Sequence, residues 1–130
     1  GRAISTLRDM LEVLWERHQF FHACGCRLSD YGIGRPSAVP YTDAAVSAAF
    51  AKLRSGTALA GDELEQYRSA VLYELLKMDA EQDWAQQLHF GAKRNNNTNI
   101  FKQRGPETGY DSMAPFASDD EFLVILLRLV

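Results

Sequence analysis

Apolar positions recur with a helical period over residues 6 to 22, "TLRDMLEVLWERHQFFH", where Leu7, Met10, Leu11, Leu14, Trp15 and His18 share one side and Ser5 or Thr6 stands ready to cap. The pattern then shortens. In "ACGCRLSDYG" Cys24, Cys26 and Leu28 alternate with smaller or polar residues, which predicts a strand over 24–30 closing in a loop after Asp30 and Gly32. "GIGRPSAVPYTD" carries two glycines and two prolines and is irregular. Residues 42–80 read as a helical pair. Thr42 or Asp43 caps the first helix, which presents Val46, Ala49, Phe50 and Leu53 and stops at Gly56. The second starts at Asp62 with a capping-box spacing to Glu65 and presents Leu64, Tyr67, Val71, Leu75 and Met78. A second strand is expected over 84–92, "WAQQLHFGA", and a polar loop over 93–117, within which Ile100 and Phe101 anchor a turn of helix. A last helix is expected over 118–130, "SDDEFLVILLRLV".

The order helix, strand, two helices, strand, loop, helix predicts a predominantly helical α/β fold in which two short strands run parallel across a helical connection. Ligands of such folds gather at the carboxyl ends of the strands. Both polar clusters, "SDYG" and "HFGAKRNNN", fall there.

Composition narrows the partners. With 130 residues, 46% of them apolar, the chain has the size and core-forming capacity of one domain. Fourteen basic against seventeen acidic residues, with no block of one sign, argue against a nucleic-acid partner but leave room for a small anionic one. Cys24 and Cys26 are too close for an ordinary disulfide and are expected to be small buried residues in a reducing compartment. No apolar run approaches a membrane span and no signal-peptide core opens the chain, so no membrane partner and a cytoplasmic location are expected.

The segments "RHQFFHACGCRLSD", "LYE", "QLHFGAKRNNN" and "RGPETGYDSM" occur in an order and with a wording that resemble the uronate isomerases. The likeness runs from about Glu16 to Met113. It implies a segment of a (β/α)8 TIM-type barrel of the amidohydrolase superfamily, with a helical insertion, acting on D-glucuronate or D-galacturonate in hexuronate breakdown. A whole enzyme of that family is several times longer, with a His-x-His strand at its start and a metal-binding aspartate on its last strand, neither of which this sequence contains. The resemblance therefore implies an internal segment of a parent that uses a divalent metal such as zinc. No tight metal binding is expected of this chain, which by itself is expected to be inactive. Tyr31 departs from the family, where most members carry histidine.

Aldose–ketose isomerisation needs a base to carry a proton between C2 and C1, an electrophile for the enediol and a cation for the carboxylate. His89, near the end of its strand, is a candidate metal ligand or substrate contact; otherwise it is a hydrogen-bonded core histidine. Asp30 is a candidate base or a turn residue closing its strand. Arg94 is the better candidate for the substrate carboxylate and Arg27 the weaker, since Arg27 can equally serve structure. Tyr31 and Asn95 are candidate substrate contacts, although Asn95, Asn96 and Asn97 fit a turn at least as well. His18 and His22 have the i, i+4 spacing of a zinc pair, but "HQFFH" lacks the accompanying glutamate and is not read as a metal site. The rival to the enzyme reading is a non-catalytic helical interaction module. Uncovered apolar strands and helices, "EFLVILLRLV" above all, further predict self-association.

Overall fold

The computed structural model describes residues 2–34 and 37–113. The helix expected over 118–130, with its adhesive apolar face, lies outside the described residues. Helix α1, Leu7–Ala23, opens with a reciprocal cap: the Thr6 hydroxyl accepts from the Asp9 amide while the Asp9 carboxylate accepts from the Thr6 amide at 2.8 Å. The helix runs further than the cysteine alternation suggested. Cys24 is its C-cap, its amide bonding the Phe20 carbonyl, and Gly25 turns the chain at φ 96. Strand β1 consequently spans Leu28–Gly32 rather than 24–30, so Asp30 lies in mid-strand beside Gln87 instead of closing the strand in a turn, and both cysteines are exposed instead of buried. Alternation of small residues in a capping turn had imitated a strand.

The core lies between α2, Asp43–Arg54, and α3, Gly61–Glu81. Val46, Ala49 and Phe50 of α2 are buried, as are Leu59 of the connection and Ala70, Leu76 and Met78 of α3, and the two helices are in contact. Helix α3 starts at Gly61, with Asp62 already in its first turn, and no side chain caps it. The N-terminal box expected at Asp62 is therefore absent. Buried Ser69 accepts from the Val39 amide at 3.0 Å and donates to the Glu65 carbonyl, pinning the irregular segment onto α3.

Strand β2, Ala85–His89, pairs with β1 in parallel, with Asp30 beside Gln87 and Gly32 beside His89. The expected strand over 84–92 is interrupted at Gly91, φ 72, which no side-chain-bearing residue adopts easily. Beyond it Ala92–Lys93, strand β3, joins Ser112–Met113, strand β4, in a separate antiparallel pair. Between them Thr98–Arg104 forms helix α4, capped by the Asn97 side chain. Residues 93–113 are thus a folded excursion rather than a loop. No helix among the described residues is long and apolar enough to cross a membrane.

Candidate active site

Because side chains alternate along a strand, the parallel pair has two unlike faces. Ser29, Tyr31, Gln86 and Leu88 are half-buried and turn toward the helices. Leu28, Asp30, Ala85, Gln87 and His89 are exposed on the opposite face. The register sets Asp30 next to Gln87, with His89 one step nearer the strand end and only a glycine beside it.

The helix-side face is organised by Asp79 of α3, a fully buried residue. Its carboxyl group accepts from Ser29 Oγ at 2.5 Å and Tyr31 Oη at 2.7 Å, and lies 2.9 Å from His18 Nε2. Burial, and then the bond to Asp79, push the Tyr31 hydroxyl well above its ordinary pKa. His18 is stacked between Trp15 and Trp84, and Trp84 Nε1 donates to His22 Nδ1. The two helix histidines thus belong to an aromatic, hydrogen-bonded wedge. Tyr31 faces this wedge, away from Asp30 and His89. Arg27 is also directed elsewhere: its guanidinium donates to the carbonyls of His22 and Cys26, closing the end of α1.

Past His89 the chain builds a cleft of about 450 Å³, lined by His89, Phe90, Gly91, Arg94, Asp111 and Ser112. Arg94 Nη1 donates to Asp111 Oδ2 at 2.7 Å, and the Asn95 amide donates to Asp111 Oδ1 at 2.9 Å. Asn95 sits at φ 56, a left-handed conformation that asparagine tolerates. The Asn96 amide bonds the Tyr110 carbonyl and its side chain bonds Ser112 Oγ. The asparagine block therefore makes the turn, and Asn97 caps the helix that follows. The Asn95 amide, and then the Arg94 guanidinium, hold the Asp111 carboxyl below the usual carboxylate range.

Asp30 and His89 thus share a face, Arg94 lines the cleft beyond it with Asn95 next in the chain and held to Asp111, and Tyr31 and Arg27 lie outside that grouping. Two site-facing residues were not singled out from the sequence. Gln87 was readable from its two-residue spacing to His89, which puts both on one face. Asp111 lies inside the segment "RGPETGYDSM", but nothing in that segment pointed to Arg94 as its partner. Among the described residues no group of three or more histidines, cysteines, aspartates or glutamates converges as a metal site. A resident divalent ion accordingly does not fit this segment alone, in which His89 offers a single imidazole on the open face.

A family model described as glucuronate isomerase matches residues 1–130. The chain belongs to the glucuronate isomerase family. It is 45% identical over 129 residues to the uronate isomerase of Phocaeicola vulgatus, covering 99% of this chain and 28% of that relative. The same figures hold for the uronate isomerase of Bacteroides thetaiotaomicron. The crystal structure of uronate isomerase from Thermotoga maritima superposes with a TM-score of 0.80 at 34% identity, over 95% of this chain and 28% of that one. That of glucuronate isomerase from Caulobacter crescentus gives 0.76 at 26% identity, over 98% and 26%. The glucuronate isomerase likeness thus extends over nearly all of this chain, which spans about 28% of the length of the curated relatives it matches.

Proposed function

We propose that this chain is an internal segment of a uronate isomerase that interconverts D-glucuronate with D-fructuronate and D-galacturonate with D-tagaturonate, in cytoplasmic hexuronate breakdown. The observation that carries the reading is the shared open face of two parallel strands, on which Asp30 and Gln87 sit side by side in mid-strand and His89 closes the carboxyl end, with Arg94 on the rim beyond. In a (β/α)8 barrel that face looks into the barrel and those strand ends form its mouth. The two strands are then barrel neighbours, α2 and α3 their elaborated crossover, and residues 93–113 part of the rim.

Each residue then has a chemical task. Asp30 takes the proton from C2 of the open-chain aldose and returns it at C1, or orients the group that does. His89 faces the reacting end of the sugar. It is also the imidazole that this segment would contribute to a divalent metal, zinc for example, completed by ligands of the full-length enzyme, where such an ion would supply stabilisation of negative charge on substrate oxygens. Arg94 receives the carboxylate through paired N–H donors, and the Asn95 amide side chain contacts a hydroxyl. Tyr31 and Arg27 are supports, one behind the sheet and one at the end of α1. Separated from the rest of the barrel, the chain exposes Leu28 and Met113 and self-associates through that surface.

An isomerase assay on D-glucuronate and on D-galacturonate with added divalent metal, comparing this chain with a full-length protein containing it, tests the reading. Activity confined to the full-length protein is expected, with the short chain sedimenting as assemblies. A full-length protein that converts neither hexuronate would defeat it.

A further inference from the structure

We propose that Asp111 is the positioning residue of the anion site: it fixes Arg94 at the rim of the His89 cleft so that the free part of the guanidinium meets the substrate carboxylate. This rests on the hexuronate reading above and adds a residue to it from the far side of the excursion.

The geometry is that of a clasp. One carboxylate oxygen takes the Arg94 guanidinium and the other the adjacent Asn95 amide, so a single side chain fixes both the head of Arg94 and the backbone next to its root. The strand pairs Ala92 with Met113 and Lys93 with Ser112, together with the Asn96 amide on Tyr110, bind the same two segments on either side. Arg94 makes no further hydrogen bond among the described residues, and its side chain is 48% exposed. Most of its five N–H groups remain open to a ligand. An untethered arginine on an exposed turn loses much rotamer freedom on binding an anion, whereas a tethered one has lost it in advance.

Asp111 also brings a negative charge to a site for an anion, and this gives the test a sign. Were its field its only effect, removing it would tighten the binding of an acidic sugar. A positioning role predicts the opposite.

The experiment uses the full-length enzyme containing this segment, with D111A, D111N, R94M and the double variant R94M/D111A. Exposed ion pairs contribute little to stability, so all four should melt close to the parent. In D111A the KM for D-glucuronate and its dissociation constant by calorimetry rise about tenfold, the size of one lost charge-assisted hydrogen bond, while kcat changes much less. D111N, whose amide oxygen can still accept from Asn95 or Arg94, recovers part of the loss. D111A adds nothing in the R94M background. Unchanged or tighter D-glucuronate binding in D111A overturns the proposal, as does an equal loss with and without Arg94. An enzyme that binds D-glucuronate but converts neither it nor D-galacturonate defeats the functional reading alone, since the titrations still decide the role of Asp111. One that neither binds nor converts either hexuronate defeats both.

Discussion

Two aspartates organise the two ends of this segment with similar chemistry and opposite surroundings. Asp79 gathers donors from α1 and β1 in a place water does not reach, whereas Asp111 gathers its two donors at the rim of an open cleft. Burial separates their roles. A buried acceptor must be matched donor for donor, so Asp79 governs whether helix and strand assemble. An exposed one is free to hold a side chain for something else, because water takes over when the bond breaks.

The comparison breaks first at Asp79. D79A leaves Ser29, Tyr31 and His18 without their partner in a dry site, and urea denaturation should show a loss of about 3 kcal/mol or more. D79N should lose less, since its amide oxygen still accepts. A D79A loss no larger than that of a surface substitution would refute the hub. Y31F removes one of the donors, and a loss of about 1 kcal/mol is expected with the KM for hexuronate unchanged in the full-length enzyme. A shifted KM would place Tyr31 on the substrate side after all.

Acid should give the smallest effect. The Asp111 carboxyl is held below its ordinary pKa of 3.8 by Asn95 and Arg94, so the clasp contributes fully above that ordinary value and is lost as pH falls through the lower, folded one. Carboxyl-carbon NMR of the full-length enzyme labelled at aspartate should show Asp111 titrating below the usual aspartate range. A midpoint at the ordinary value would mean the clasp is open in solution.

How much of this was legible beforehand follows the range of the interactions. The three long helices are written in a local period, and the shared side of Gln87 and His89 in a local alternation. The start of β1 was misplaced because Cys24 and Cys26 alternate for a different reason, in a capping turn whose hydrogen bonds reach back to Phe20 and Phe21. Asp79 looks like any polar residue near a helix end, and its meaning comes from Ser29 and Tyr31, about fifty positions earlier. Asp111 meets Arg94 across a folded excursion with its own helix. Neither partnership has a sequence period to read.

The parallel pairing of Leu28–Gly32 with Ala85–His89 has a consequence for the order in which the molecule forms. Such a pair cannot be zipped from a turn; its ends must meet across the whole intervening chain, and that closure costs entropy before any ladder bond repays it. The helices α2 and α3 need only a short connection to meet, and their early docking shortens the remaining search. The face that carries Asp30 and His89 is therefore expected to be among the last surfaces to form as the chain folds, and amide-exchange labelling during refolding should protect α2 and α3 before β1 and β2.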